Sequence, residues 1–362
     1  MNSNARSEQL NQKGCLREDA KSRNKLTRQR LLELEQQYKS PARKAWDIFV
    51  CFLPLLCFAA AAAEYLLIPN KSPNPHMERY LILLSVPIIV YTGFLVRALW
   101  ENHKKEYGLY WKLLYKAPLI SVIFLLLALY DYLTLKTGLL MYPFIPWVND
   151  VINAAIGDWK NLAVSALFSL RLLMLGYLCG VVTGLITGIA CGYSTRIRYW
   201  INPLIKILGP IPTATWLPLI MLLAPSLFSG SVFIIGLGTW FSVTVATITG
   251  ISTIDRSYFD AAKILGASEF QLIFRVAIPS AMPNILQGMT QGMSSACISL
   301  MVAEMMGVEA GLGWYITWSK SWAMFNRMFA SIIVICIIFN VVTKLLDVIK
   351  KHALRWQMEE VK

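Results

Sequence analysis

The chain has 362 residues, of which 56% are hydrophobic and only 15% are charged, with a mean hydropathy of +0.52. This is more apolar surface than one soluble core of that size needs, so the composition excludes an ordinary soluble domain and predicts an all-α, polytopic membrane protein. The formal charge of +13 would indicate nucleic-acid binding in a soluble protein. Here the basic residues cluster in loops between apolar runs, as in the cytoplasmic loops of membrane proteins, so no nucleic-acid partner is predicted.

A basic tail, residues 1–45, precedes the apolar runs and is predicted to stay in the cytoplasm. Each following run is long enough to cross a bilayer core of about 30 Å. Together they predict a bundle of about eight transmembrane helices, with both termini and a C-terminal tail, residues 350–362, in the cytoplasm. The runs are 46–68, 80–99, 117–135, 161–193, 203–224, 230–254, 284–307 and 328–349.

Charged side chains inside apolar runs are costly and require an explanation. Glu64, Arg97 and Asp131 lie near the ends of their runs, where they are predicted to reach the lipid headgroups. Arg171 and Glu304 lie toward the outer ends of later runs. They are predicted either to pair, holding an external gate or a docking surface for a binding protein, or to have a purely structural role.

Glycines recur at every fourth position of the fourth run. Small residues at this spacing let another helix approach closely, so the run is predicted to pack inside the bundle, with a direct role in binding solute as the alternative. The residues are Gly176, Gly180, Gly184, Gly188 and Gly192.

A polar, helix-forming segment separates the sixth and seventh runs, and we call residues 255–283 the elbow. Ser257 is predicted to cap a first helix, with Asp260 completing a capping box. Gly266 is placed where a helix ends in a left-handed residue, and Ser268 with Gln271 restarts a second helix. Pro279 and Pro283 are predicted to end that helix just before the next span.

The elbow resembles the EAA loop of ABC importer permeases, whose pattern is E-A-A, three residues, G, nine residues, I-x-L-P. The matching residues are Asp260-Ala261-Ala262, Gly266, Val276, Ile278 and Pro279, at the same spacing throughout. Asp260, Val276 and Ile278 replace Glu, Ile and Leu, which keeps the charge and the apolar character. Weaker marks are Ser169-Leu170-Arg171, Ala303-Glu304 and Gly311-Leu312-Gly313.

The resemblance is closest to the permeases for nitrate, sulfonate, taurine and bicarbonate. It implies a type I importer core over residues 113–349, preceded by two additional transmembrane helices in residues 46–112. It further implies a homodimer in the plasma (inner) membrane, served by cytoplasmic ABC ATPase subunits and an extracytoplasmic substrate-binding protein. ATP and Mg would be bound by the ATPase, leaving this chain without a cofactor. The residues implied to couple to the ATPase are Asp260, Ala261, Ala262, Gly266, Ala267 and Pro279.

Polar side chains on the seventh run are candidates for the translocation path, although Ser and Thr in membrane helices often bond to their own backbone instead. They are Thr290, Gln291, Ser294, Ser295 and Ser299. The histidines lie outside the runs and the cysteines form no CxxC pair, so no metal site is predicted. The absence of GxxxxGK[ST], HExxH and GxSxG indicates a permease subunit and not an enzyme.

A self-contained secondary transporter or channel is the main alternative. It predicts uptake that is sustained by an ion gradient without an ATPase, and it would place more ionisable residues at mid-membrane than the runs contain. A membrane-embedded enzyme, or a scaffold without a translocation path, leaves the form of the elbow unexplained.

Overall fold

A computed structural model describes residues 38–103 and 108–354, which fold into helices and connecting segments without a β-strand. The chain divides into two compact units, Met1–Asn153 and Ala154–Lys362. Most of the predicted N-terminal tail, residues 1–37, and the end of the C-terminal tail, residues 355–362, lie outside the described residues.

The first unit contains the first three predicted spans. Ser40 caps the first of these helices by accepting a hydrogen bond from the Arg43 amide, and Pro41 occupies the first turn, where no amide donor is needed. The third helix packs mainly against the first. The three helices therefore pack as one group. The boundary between residues 112 and 113, where the importer core is predicted to begin, stays a prediction. The helices are α1 (Pro41–Leu67), α2 (Met77–His103), α3 (Gly108–Asp131) with a π-helical extension (Tyr132–Lys136), and the start of α4 (Val148–Gly157).

Buried charge holds the end of α3 against the end of α1. The Lys136 ammonium, only 8% exposed, donates hydrogen bonds of 2.7 Å to the Tyr65 carbonyl, the Ile68 carbonyl and the Asn70 side chain. Asp131 is fully buried, so the prediction that it reaches the headgroups is wrong. The structural reason is that Asp131 lies on the face of α3 that also carries buried Ala117 and Phe124 and packs inside the first unit. Arg97, by contrast, is exposed and pairs with Glu101 at 2.9 Å.

Replacing Lys136 with methionine is expected to destabilise the first unit by about 3 kcal/mol, because two backbone carbonyls and the Asn70 side chain lose the charged donor that they bond to. Equilibrium unfolding in mixed detergent micelles measures this change. Lys71→Met is the matched control, since Lys71 makes an exposed bond of 3.1 Å to the Thr137 carbonyl. Its effect should stay within about 0.5 kcal/mol. Equal losses in the two variants would contradict the structural role given to Lys136.

The second unit contains the remaining helices. The long helices α5, α8 and α11 pack together around buried aliphatic side chains, among them Leu172, Ile235 and Leu300. The helices are α5 (Trp159–Tyr193), α6 (Thr195–Leu208), a 3-10 turn (Thr213–Trp216) with α7 (Leu217–Leu223), α8 (Leu227–Ser252), α9 (Arg256–Ile264), α10 (Glu269–Gln271), a π-helical segment (Leu272–Ala277), α11 (Ile278–Met306), α12 (Leu312–Ser321) and α13 (Phe325–Ala353).

The glycines of α5 all face α8. A Cβ built on Gly180 would lie 2.5 Å from the Gly236 carbonyl oxygen and 2.6 Å from the Thr239 Cβ. A Cβ on Gly184 would lie 2.9 Å from the Val243 Cβ. The two backbones therefore approach to a distance that only glycine permits, and the predicted packing role is confirmed.

The fifth predicted span, 203–224, is not one straight helix. Residues 194–199 were predicted as a loop, but residues 195–199 form the start of α6. The chain then bends by 89° between α6 and the segment Thr213–Leu223. Pro210 and Pro212 lie in the break, because neither has an amide to continue the helical ladder. The bend opens a cavity beside α8 and α11.

Within the described residues, six helices are long and apolar enough to cross a membrane, or seven if the bent pair counts as one span. The predicted span 284–307 coincides with α11, which has 29 residues but carries too many polar side chains to be counted among them. The predicted number of about eight is therefore approximate. The counted helices are Pro41–Leu67, Met77–Glu101, Gly108–Lys136, Trp159–Tyr193, Leu227–Ser252 and Phe325–Ala353.

Candidate coupling elbow and translocation cavity

The first helix of the elbow, α9, is capped two residues earlier than predicted. The Asp255 carboxylate, and not Ser257, accepts a hydrogen bond of 3.0 Å from the Ser257 amide. This bond lowers the pKa of the Asp255 carboxyl, so the cap is charged at neutral pH and complements the helix N-terminus. An Asp just before the helix was a visible capping candidate, since Asp and Ser cap about equally well.

Gly266 forms the turn of the elbow as predicted. Its φ of +79° lies in the left-handed region, and nothing lies within 4 Å of a Cβ built there. The predicted start of a second helix after Gly266 is also confirmed. The Ser268 hydroxyl accepts from the Gln271 amide at 3.4 Å, while the Gln271 side chain accepts from the Ser268 amide at 2.9 Å.

The prolines do not end the second helix of the elbow, contrary to prediction. A π-helical segment, Leu272–Ala277, passes directly into α11, where Pro279 occupies the first turn and Pro283 lies inside the helix. In the first turn an amide has no obligatory helical partner, so Pro279 is tolerated there. The elbow and α11 consequently form one unbroken helical connection.

Aromatic and apolar contacts fix the elbow to the end of the bundle. Phe259 packs near Tyr193, with ring centroids 6.4 Å apart, and the Tyr193 hydroxyl donates to the Glu269 carboxylate. Leu272 and Ala277, which belong to the elbow itself, are fully buried. Sequence reasoning missed these contacts, because they join residues that are distant in the chain.

The outward surface of the elbow is unusually apolar for a segment between two membrane helices. α9 buries none of its residues, and Asp260 and Ala261 are exposed while Ala262 is half-buried. Ile264 and Leu265 are 86% and 87% exposed. This surface therefore has the composition of a docking site. Its exposed large side chains are Tyr258, Ile264, Leu265, Phe270 and Phe274.

The structure separates the path candidates of α11. Thr290 bonds to the Leu286 carbonyl of its own helix at 3.0 Å, which is the alternative that the sequence left open. Ser295 lines the cavity at the bend, and buried Ser299 lies 2.9 Å from the Thr213 hydroxyl. Gln291 and Ser294 are exposed. With Asn284 and Gln287, also exposed, they form a polar stripe along one face of α11.

Glu304 is part of a buried junction of three helices. Its carboxylate accepts a hydrogen bond of 2.8 Å from the Gly313 amide at the start of α12, and it fills the space beside Gly311. The neighbouring Leu312 amide donates to the Ser169 hydroxyl of α5 at 2.8 Å. Glycine is required at position 311, because its φ is +103° and a Cβ would collide with the Glu304 carboxylate.

Arg171 does not pair with Glu304, so the prediction of a buried ion pair between them is wrong. Arg171 is exposed and stacks over the Phe228 ring, 5.7 Å from its centroid, whereas Glu304 is fully buried. The two side chains leave helix α5 and helix α11 in different directions, which their positions along the sequence do not reveal. The alternative of a structural role is the one that the contacts of Glu304 favour.

Glu304→Ala is expected to destabilise the second unit by about 3 kcal/mol, because the Gly313 amide loses its acceptor and a cavity opens. Glu304→Gln keeps an acceptor oxygen and the side-chain volume, so its cost should stay below about 1 kcal/mol. Thermal unfolding in detergent distinguishes the two variants. A glutamine variant as unstable as the alanine variant would show that the negative charge itself is needed.

Asp158, which directly precedes α5, joins the start of that helix to two other helices. Its carboxylate accepts a bond of 2.6 Å from Asn161, forms an ion pair of 3.3 Å with Arg327, and accepts from the Tyr315 hydroxyl. Burial, followed by the adjacent Asp158, raises the pKa of Tyr315, so the phenol keeps its proton and donates. This junction was not predicted, because Tyr315 and Arg327 lie more than 150 positions after Asp158 in the chain.

Comparison with known proteins agrees with this geometry. Residues 180–356 match the family model described as "Binding-protein-dependent transport system inner membrane component". The nitrate import permease protein NrtB of Synechococcus elongatus is 26% identical over 38% of this chain and 49% of its own length. The taurine transport system permease protein TauC of Escherichia coli is 28% identical over 34% of this chain and 43% of its own length.

A solved structure, described as an amino acid ABC transporter with histidines, is 22% identical and covers 55% of this chain and 97% of its own, with a TM-score of 0.46. The chain spans about half the length of the curated relatives it matches. The resemblance drawn from the elbow is confirmed, and the chain is a multi-pass membrane protein. Residues 180–356 are similar to the family of binding-protein-dependent transport inner membrane components.

Proposed function

We propose that this chain is the transmembrane permease subunit of an ATP-driven importer. The observation that carries the proposal is the elbow, an exposed pair of capped helices turned at Gly266 and continuous with α11. A displacement of the elbow would therefore be transmitted directly to α11, a membrane helix that bears polar side chains. The residues proposed to make or shape the contact are Asp260, Ala261, Ala262, Gly266, Ala267 and Pro279.

The partner proposed for the elbow is a cytoplasmic ABC ATPase subunit, which would bind ATP and Mg. Small side chains on α9 allow a groove of the partner to approach the backbone, while the exposed Ile264 and Leu265 supply apolar contact area. Nucleotide can shift the transporter only if it binds one state more tightly than the other. In this proposal the ATPase provides that difference, and the elbow transmits it to α11.

The polar stripe of α11 supports a path between two copies of the chain. Gln291 and Ser294 would be costly against lipid, so this face is expected to meet a second copy or a water-filled path. A homodimer would provide a second copy against this face and a path between the two copies. Ser295 and Ser299 lie nearer the cavity, and Thr290 bonds within its own helix. Glu304 would set the position of α12 beside the path, and exposed Arg171 would contribute to the outer face.

The remaining assignments follow from the charge pattern and the family. The basic loops support a cytoplasmic position for the elbow and both termini, and the protein is proposed to lie in the plasma (inner) membrane. A substrate-binding protein would deliver a small solute to the opposite side. Nitrate, sulfonates, taurine and bicarbonate are the solutes that the names of the curated relatives suggest.

The test is purification of the full chain from its own membranes in mild detergent, with identification of the proteins that accompany it. An ATPase subunit should be recovered in stoichiometric amount. Leu265→Asp should remove it, because a carboxylate would replace an exposed apolar contact, whereas Leu139→Asp, at a 73% exposed position outside the elbow, should not.

The same preparation, reconstituted into vesicles, should take up solute only with nucleotide. Uptake driven by an ion gradient alone would identify the secondary transporter instead.

A further inference from the structure

The bend between α6 and α7 encloses one side of a cavity that is chemically distinct from the polar stripe. The cavity has a volume of about 260 Å³ and lies between the bend, α8 and α11. Several secondary transporters place their solute beside broken membrane helices. The cavity at this bend is therefore a candidate place for a small molecule to be held.

Three aromatic rings form much of the cavity wall: Trp216 from the 3-10 turn, and Trp240 and Phe241 from α8. Trp240 is held in place, because its indole N–H donates to the Thr187 hydroxyl at 3.0 Å. Phe241 is fixed against Gly209 at the bend, where a Cβ would lie 2.8 Å from its ring. Trp240 and Phe241 are therefore held in place, and a wall rich in aromatic rings favours a flat molecule that can stack.

Hydrogen-bonding capacity in the cavity comes from α11. Gly238 has no side chain, and a Cβ there would lie 2.8 Å from the Ser295 hydroxyl, so the glycine leaves room beside that hydroxyl. Thr213 and Ser299 already bond to each other at 2.9 Å. The Ser295 hydroxyl has no hydrogen-bond partner among the described residues and remains available to a ligand.

Charge is the decisive feature. Among the residues that the structure describes, no Asp, Glu, Lys, Arg or His lines the cavity. Placing an ion there would remove its water without supplying a counter-charge, whereas an uncharged ring would exchange water for aromatic contact. The cavity therefore differs from what a site for nitrate or a sulfonate would require.

From these features we infer that the cavity binds an uncharged, planar aromatic or heterocyclic solute, which stacks on Trp216 and Trp240 and hydrogen-bonds to Ser295. This inference rests on the proposed function, because it names the class of solute that the importer carries. It separates this chain from relatives whose names specify nitrate or taurine, both of which carry ionised groups.

The experiment measures equilibrium binding to the full chain in lipid nanodiscs. One panel contains uncharged rings (uracil, nicotinamide, benzamide and indole), and a second contains nitrate, ethanesulfonate, taurine and bicarbonate. At least one ring should bind and the ions should not. Trp216→Ala should weaken ring binding by about tenfold or more, as expected for a lost stacking partner. Ser295→Ala should weaken it by about fivefold, as expected for a lost neutral hydrogen bond.

Trp200→Ala is the control, because Trp200 is a 76% exposed tryptophan of α6 that does not line the cavity. Its ring binding should equal that of the unaltered chain, and unfolding curves should show that all three variants fold. Binding of ions alone, binding of no ring, or a cavity filled by a retained phospholipid would each overturn the inference. Ring binding without nucleotide-driven uptake would overturn the transport role and leave the site standing.

Discussion

Gly266→Val is expected to reduce nucleotide-driven uptake by about tenfold or more while leaving the bundle folded. Gly266 has a φ of +79°, and a non-glycine residue in this region costs roughly 1–2 kcal/mol, with β-branched side chains at the upper end. The elbow can avoid that cost by changing the turn, which would reorient α9 relative to α11. Transport in reconstituted vesicles and recovery of the ATPase are the two measurements.

Gly266→Asn is the matched control, because asparagine adopts the left-handed region more readily than other residues with a side chain. No atom lies within 4 Å of a Cβ at this position, so neither variant collides with the protein and the difference between them isolates backbone conformation. Asparagine should retain most of the uptake. Equal loss in both variants would show that the partner needs a bare backbone at Gly266, and equal retention would remove the turn from the coupling proposal.

Local chemistry explains which parts of the elbow could be predicted. The Ser268 and Gln271 capping box and the left-handed Gly266 depend on residues within four positions of each other, so the sequence determines them. The choice of Asp255 over Ser257 as the first cap was not resolved, because both residue types cap well and they lie two positions apart.

Long-range contacts explain what could not be predicted. Arg171 and Glu304 are both charged residues in apolar runs, but Glu304 is directed by Gly311 and Gly313 and not by an opposite charge. The cavity likewise depends on the 89° bend, which the prolines at 210 and 212 permit without specifying its direction. Helix length and apolar composition predict where helices lie, whereas the pairing of their faces requires the folded bundle.

The glycine face of α5 is an exception, because its period of four residues predicts a face-to-face contact in advance. Gly180→Ala is expected to destabilise the second unit by about 2 kcal/mol, since a methyl group would meet the Gly236 carbonyl oxygen at 2.5 Å and backbone atoms cannot rotate away. Gly180→Leu should prevent close packing of α5 and α8 altogether. Unfolding in mixed micelles measures the first variant, and the yield of folded protein after detergent extraction measures the second.

Two other glycines turn this prediction into a graded series. A Cβ on Gly236 would lie 3.4 Å from the Gly176 carbonyl oxygen, an ordinary contact, so Gly236→Ala should cost less than about 1 kcal/mol. Gly93 in α2 has nothing within 4 Å, so Gly93→Ala should be neutral or should stabilise the first unit by about 0.5 kcal/mol, through reduced freedom of the unfolded chain. If the loss of stability did not decrease from Gly180 to Gly236 to Gly93, interhelical distance would not explain the glycines. An interaction other than close packing at the glycines would then have to hold together the helices that form the cavity and the polar stripe.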